Sequence, residues 1–321
     1  MVTKKDGIVN TPMSLAGLRV WVAGHRGMVG SALVRRLATE KCEILTATHA
    51  QLDLTRQADV ERWMAEKRPD VVFMAAARVG GIHANNSFPV EFLLNNMAIE
   101  MNILRIAADM GVRKLMFLGS SCQYPREADQ PIAEETLLAG PLEPTNQWYA
   151  IAKIAGIKMV EACRRQLGSD FISVTPTNLY GIGDNFDPEH SHVIPALMRR
   201  LHEAKLYDTP EIVIWGSGTP RREFMNVDDA ADACVFLMKN YSEAETINVG
   251  TGSDIAIKEL AESLAGVVGY EGRFSYDTSK PDGMPRKLLD SSRLLAMGWQ
   301  PGMALPNGLE ATYQWFQANK V

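Results

Sequence analysis

The 321-residue chain has no apolar run approaching the ~18 residues that span a bilayer, and its start, MVTKKDGIVNTPMSLAG, lacks the continuous apolar stretch of a secretory leader. Both absences point away from a membrane and toward the cytoplasm. Cysteine is scarce: Cys42, Cys122, Cys163 and Cys234 have no paired short spacing, which argues against a zinc site or a disulfide framework. Nor is there a basic stripe. The net charge is −5 with both signs spread along the chain, so nucleic acid and anionic lipid are not expected partners. No internal repeat or low-complexity tract interrupts a composition of 46% apolar and 22% charged residues, ordinary for a globular protein.

What is present is an alternation. The runs LRVWVAG, CEILTAT, DVVFMAAA, KLMFLGSS and FISVTPTN read as strands, separated by helical patterns such as SALVRRLATE and NMAIEMNILRIAADMG. This rhythm predicts an α/β fold, a doubly wound parallel sheet of the Rossmann type with a smaller C-terminal substrate-binding domain. Residues 1–17 read as a flexible extension and 18–178 as the dinucleotide-binding domain, with 223–252 returning to it. Residues 179–222 and 253–321 read as the substrate-binding domain, in which EIVIWG is an isolated strand.

After the first strand, Gly24-His25-Arg26-Gly27-Met28-Val29-Gly30 opens a helix. A glycine turn feeding a helix N-terminus offers unpaired N–H groups and the positive end of the helix dipole to a pyrophosphate, with an ordinary tight turn as the bland alternative. The G-x-x-G-x-x-G spacing is that of short-chain dehydrogenases. The second strand ends Leu45-Thr-Ala-Thr-His49, with no acid to grip a ribose 2′-hydroxyl, and Arg26 can face a 2′-phosphate. NADP(H) is therefore the expected cofactor. Asp53, between Leu52 and Leu54, reads as an adenine-edge contact or as a helix cap.

Tyr149 and Lys153 stand one helical turn apart, so phenol and ammonium share a face, and the lysine is expected to lower the phenol's pKa for proton relay. Ser120 ends the fourth strand. In extended backbone Ser120 and Cys122 point the same way, so a ketone oxygen held by Ser120 and Tyr149 would leave its flanking carbons to the Cys122 thiol as general base. His192 is the candidate acid for the opposite face. A lone cysteine is usually inert filler, and a loop histidine is usually solvated. Asp187, Glu189, His190 and His192 could also suggest a metal cage, but acids and histidines recur in polar loops without ligation, and no metal is expected.

The stretches AGHRGMVGSA, AAARVGGIHANN, FLGSSCQYP, EPTNQWYAIAKIAGIK, SHVIPALMRR, WGSGTPRREF and SKPDGMPRKLLD together resemble the GDP-L-fucose synthases, a family of extended short-chain dehydrogenases, and the likeness runs from Leu18 to the C-terminus. The resemblance implies conversion of GDP-4-keto-6-deoxy-D-mannose to GDP-L-fucose: epimerisation at C3 and C5 with Cys122 as base and His192 as acid, then reduction of C4 by NADPH with Ser120, Tyr149 and Lys153. It implies that Leu118, Gly119, Ser120, Ser121, Lys153, Pro176, Thr177, Asn178, Leu179 and His192 join the glycine turn in lining the cofactor. Arg200, Trp215, Arg222, Asp282 and Lys287 would grip the GDP-sugar, and a homodimer would pack through the Tyr149 helix and its predecessor. At His49 bacterial members of the family carry arginine, so here fewer fixed charges would face the 2′-phosphate. Two other readings compete. A nucleotide-sugar 4-epimerase would leave Cys122 and His192 incidental, and a 4,6-dehydratase would need an acid pair where this chain has Ser-Ser-Cys; a non-enzymatic dinucleotide sensor would usually have lost the tyrosine or the lysine.

Overall fold

Runs of Val, Ile, Leu, Met and Phe without polar interruption have no face to turn to water, and in this chain they become the strands of one covered sheet. In a computed structural model describing residues 12–188, 190–280 and 282–319, the chain runs β1 (Arg19–Ala23), α1 (Met28–Leu37), β2 (Glu43–Leu45), α2 (Gln57–Lys67), β3 (Val71–Met74), α3 (Ile82–Ser87), α4 (Pro89–Asp109), β4 (Lys114–Leu118), α5 (Gln147–Leu167) and β5 (Phe171–Pro176). It continues as β6 (Asn178–Tyr180), α6 (Val193–Leu206), β7 (Glu211–Trp215), β8 (Arg221–Arg222), β9 (Phe224–Asn226), α7 (Val227–Asn240) and β10 (Ile247–Val249). The last elements are β11 (Ile255–Ala256), α8 (Ile257–Val268), β12 (Arg273–Asp277), β13 (Arg286–Lys287), α9 (Ser292–Ala296) and α10 (Leu305–Asn319).

The main sheet is parallel throughout in the order β2-β1-β3-β4-β5-β10. The chain turns outward in opposite directions from β1 to β2 and from β3 onward, and such a reversal opens a crevice at the carboxyl ends of the strands. Register brings those ends level, Ala23 beside Met74, Met74 beside Phe117 and Leu118 beside Val174. Gly24, Ala75 and Gly119 consequently emerge side by side. On one face of the sheet Trp21, Val72, Met74 and Phe117 pack with α2, α4 and α5; on the other Val20, Val22, Phe73 and Met116 pack with α1 and α7. Each such side chain, fully buried, contributes roughly 1.5–3 kcal/mol.

A second core gathers α6, α8 and α10 around Met198, Leu201, Leu260, Leu264, Leu309 and Phe316. Here the strand Glu211–Trp215 is not isolated as expected: it pairs in parallel with Arg273–Asp277 along five positions. The alternation R-F-S-Y-D was the period-two signal for that partner. Phe224–Asn226 pairs with β6 rather than with the main sheet, whereas α7 packs on α1 and β10 on β5. Of the extension expected to be flexible, residues 1–11 lie outside the described part. Residues 12–17 are fastened down, with Leu15 buried in the core and the Met13 N–H donating to the Lys239 carbonyl at 2.8 Å. Burial of one leucine and a paired backbone group explain the difference.

Helix α5 lies close on β4 because residue 156 is glycine; a Cβ there would run into the Phe117 ring. That closeness carries Tyr149 and Lys153 to the end of β4.

Candidate active site

A cleft of about 1380 Å³ opens at the carboxyl ends of the strands and extends between the two cores. Every residue expected from the sequence to face cofactor or substrate lines it, except Gly30 and Arg200. Gly30 is buried beneath the turn, and a Cβ on it would collide with the Gly24 carbonyl. Arg200 is exposed on α6 and donates instead to the Val213 carbonyl at 2.6 Å.

The cofactor end fits a dinucleotide. Gly24 adopts φ +86, the left-handed region open to glycine, with Ala76 packed too close for any side chain. Gly27 caps α1 without a side-chain hydrogen bond, and the first turn carries no acid, so the N–H groups face the cleft uncompensated. Arg26 is exposed and forms no ion pair among the described residues. His49 is exposed in the same cleft, and burial together with Arg26 lowers the pKa of His25. Asp53 lines the cleft but also accepts from Thr55 N and Oγ1 at 3.0 and 2.7 Å, which closes the turn into α2.

At the chemical end the backbone is not extended as expected. Ser121–Gln123 is one 3-10 turn, capped by Ser120, whose Oγ accepts from Cys122 N at 3.3 Å. Gln123 Oε1 reaches back to Ser120 N at 3.1 Å, and its Nε2 is anchored to Thr175 Oγ1 at 2.7 Å. This reciprocal cap, invisible to strand periodicity, curls the chain. Ser120 and Cys122 still both line the cleft.

Cys122 does not have the surroundings of an inert core thiol. The Asn146 amide nitrogen lies 3.3 Å and the Lys287 ammonium 3.7 Å from its sulfur, two donors aimed at one atom. Asn146 occupies the cap position of α5 without capping it with its side chain, so its amide is free to serve the sulfur. His192 occupies the N-terminal cap position of α6 without a side-chain capping bond; its side chain is open to the cleft, and the protein around it and the Lys287 charge lower its pKa.

Tyr149 differs from expectation. Burial raises the pKa of its phenol, Cys122 and Glu100 raise it further, and the Ser120 side chain pulls it back. The lysine's charge is engaged elsewhere: Lys153 Nζ is 5.7 Å from the Tyr149 ring centre, 4.7 Å from that of Phe117 and 3.2 Å from Glu100 Oε1. Lys153 and Glu100 are both buried, and removing one partner of a buried pair costs about 3–5 kcal/mol. Glu100 gave no motif in the sequence; its one signal is a lone acid in the apolar helical run NMAIEMNIL.

Arg222, half-buried in the same cleft, donates to a backbone carbonyl, Arg221 O at 2.8 Å; burial lowers its pKa and Asp282 opposes. A partly desolvated guanidinium is ready for a diphosphate. Trp215 ends strand β7 yet is 70% exposed, lining the cleft with Lys280 5.5 Å from its ring centre. Asp282 accepts from Ser217 N and Oγ at 2.6 and 2.9 Å, closing the turn after β7. Asp187 pairs with His190 at 2.8 Å, Glu189 lies outside the described residues, and among the described residues no three acids, histidines or cysteines gather as a metal cage. Among them too, no helix is long and apolar enough to cross a membrane. Arg78, Thr145 and Asn146 also line the cleft and had not been singled out.

The arrangement has relatives. Residues 20–250 match the NAD dependent epimerase/dehydratase family. GDP-L-fucose synthase 1 of Arabidopsis thaliana is 56% identical over 96% of this chain and 95% of its own. The GDP-L-fucose synthase of Sinorhizobium fredii is 56% identical over 95% and 97%. Among solved structures, a GDP-L-fucose synthetase from Naegleria fowleri bound to NADP superposes with a TM-score of 0.89, at 29% identity and 98% coverage of both chains. The chain belongs to the NAD dependent epimerase/dehydratase family and, within it, to the GDP-L-fucose synthases.

Proposed function

We infer that the protein is an NADP-dependent epimerase and reductase that converts GDP-4-keto-6-deoxy-D-mannose to GDP-L-fucose. The observation that carries the chemistry is the Cys122 sulfur, held by Asn146 and Lys287 in the same cleft as Ser120, Tyr149 and His192.

Ser120 and Tyr149 hold the C4 ketone oxygen. That grip lets the oxygen accept charge as an enolate, which acidifies the hydrogens on C3 and C5. At C3 and at C5 in turn, Cys122 takes the proton onto sulfur and His192, as the imidazolium, delivers one to the opposite face, and exchange with solvent restores both groups between the two steps. NADPH, when bound, supplies the hydride that reduces C4. Tyr149 gives its phenolic proton to the C4 oxygen, and Lys153 stands behind it. Gly24 to Val29, His49, Leu52 to Leu54, Leu118 to Ser121 and Pro176 to Leu179 hold the dinucleotide, and Trp215, Arg222, Asp282 and Lys287 hold the GDP-sugar. The elements of residues 18–178 and 223–252 serve the first ligand, and those of 179–222 and 253–321 the second.

The enzyme works in the cytoplasm, where four unpaired cysteines stay reduced. It pairs as a homodimer through α4 and α5: Val90, Leu94, Met97 and Met101 form an exposed apolar stripe on α4, with Trp148 and Ile151 exposed on α5. The deciding experiment supplies the keto sugar in heavy water. Deuterium entering C3 and C5 without NADPH, and NADPH oxidation with formation of GDP-L-fucose, are the expected results; reduction without any deuterium would point to a plain C4 reductase.

A further inference from the structure

Glu100 lies on α4, outside the tyrosine–lysine motif, yet its Oε1 is 3.2 Å from Lys153 Nζ, the one ion pair of that lysine among the described residues. Glu100 is 1% and Lys153 2% exposed. Neither Glu100 oxygen has a well-formed hydrogen bond among the described residues, so nothing but the ammonium compensates a charge in dry surroundings. A carboxylate at such a place is costly, and glutamine would fill the same volume without it.

Groups face Tyr149 from three sides. The turn after β4 brings Ser120 and Cys122, α4 brings Glu100 and the edge of Phe92, and α5 brings Lys153. Lys153 is the single cation among them, and with Glu100 against it the pair is electrically close to neutral toward the phenol. Burial holds the Glu100 carboxyl above the usual carboxylate range, and Lys153 offsets part of that rise. Burial, Cys122 and Glu100 all favour the protonated phenol.

We propose that Glu100 is a positioning residue of the reductive half-reaction: its buried carboxylate offsets Lys153, so that Tyr149 rests as a phenol ready to give its proton to the C4 oxygen. The inference rests on the functional reading above. An enzyme that begins by oxidising a hydroxyl needs the opposite bias, a phenolate able to take a proton, from the same tyrosine and lysine. In this protein a residue outside the motif sets the direction. The proton balance is simple: the phenolic proton goes to the alkoxide oxygen formed at C4, and the phenolate left behind is reprotonated from solvent through Lys153.

The test compares wild type, Glu100→Gln and Glu100→Asp. Tyrosinate absorbance of each protein without cofactor, read against its Tyr149→Phe derivative, follows the phenol directly, and NADPH oxidation with the keto sugar follows reduction across pH. Glu100→Gln should move both the tyrosinate midpoint and the alkaline limb of reduction down by about one pH unit, a roughly tenfold loss on that limb. Heavy-water exchange at C3 and C5, read at neutral pH where the phenol is protonated in every variant and still holds the C4 oxygen, should stay within about twofold, because the proton is taken by Cys122. Glu100→Asp, which keeps the charge, should stay near the wild-type limb. An unmoved limb, an equal shift in Glu100→Asp, or exchange falling in step with reduction would each overturn the proposal. If Glu100→Gln does not fold, Glu100→Met reads the same limb. A wild-type enzyme that fails to oxidise NADPH with the keto sugar overturns the functional reading and this inference together; a working wild type with an unmoved limb overturns this inference alone.

Discussion

Lys287 Nζ stands 3.7 Å from Cys122 Sγ across 165 residues of sequence. The strand pairing of Lys287 with Arg222 brings it there, and the same ammonium lowers the pKa of His192. One cation thus faces both the proposed base and the proposed acid of epimerisation, which gives the first expected outcome. Cys122→Ser should bind NADPH as wild type does while exchange at C3 and C5 drops by about 10²–10⁴-fold. Lys287→Met should lower exchange by about tenfold, the loss of one charge-assisted contact of roughly 1.5 kcal/mol. Wild-type exchange in Cys122→Ser, measured by NMR in heavy water, removes sulfur from the mechanism.

Tyr149→Phe separates the two half-reactions. Single-turnover NADPH oxidation should slow by about 10²–10⁴-fold, and deuterium should still enter the sugar. Reduction at an undiminished rate would show that another group protonates C4.

The role proposed for Arg26 is to set the choice of dinucleotide. Arg26→Ala should weaken NADP binding by about tenfold and leave NAD binding within about twofold, because the side chain meets only the 2′-phosphate. Calorimetric titration with both dinucleotides reads the difference, and equal losses would count against this role.

Asp184 ties stability to pH. It is buried in the loop after β6 with one oxygen unpaired among the described residues, and burial raises its carboxyl from 3.8 to about 7. The folded chain therefore binds this proton more tightly than the unfolded chain. The stability it lends is complete below about pH 4, falls as pH rises to about 7, and stays lost above. Asp184→Asn should raise unfolding free energy at alkaline pH by about 2–4 kcal/mol and change little in acid. Urea unfolding at both pH values checks the sign; a variant equally stabilised at both would rule out linkage.

The stripe on α4 predicts an assembly state. Leu94→Asp combined with Met101→Asp places two charges on an apolar contact face and should give a monomer by light scattering, with unchanged circular dichroism. A dimer that survives both changes is not built on this face.

Much of this molecule was legible before any coordinates. Strands β1, β3 and β4 lie in apolar runs, β5 in a β-branched run broken only by small hydroxyls, and the glycine turn and the Tyr149–Lys153 spacing are local patterns fixed by strand and helix geometry. The pairing of β7 with β12 was missed although R-F-S-Y-D alternates, because a five-residue strand far from its partner gives only a weak signal. Arg200 was expected at the substrate and points to Val213 instead, a matter of which side of α6 meets the cleft.

By itself the sequence determined the sheet, the dinucleotide turn and which side chains were chemically able to act, since these follow from short-range periodicity and from residue type. Only the tertiary structure decided what each of them touches. Glu100 reaches Lys153 because α4 packs on α5, and Asn146 and Lys287 meet at one sulfur because the cap of α5 and strand β13 converge. Charge interactions depend on distance through space and on burial, neither of which is written in the spacing of residues along a chain.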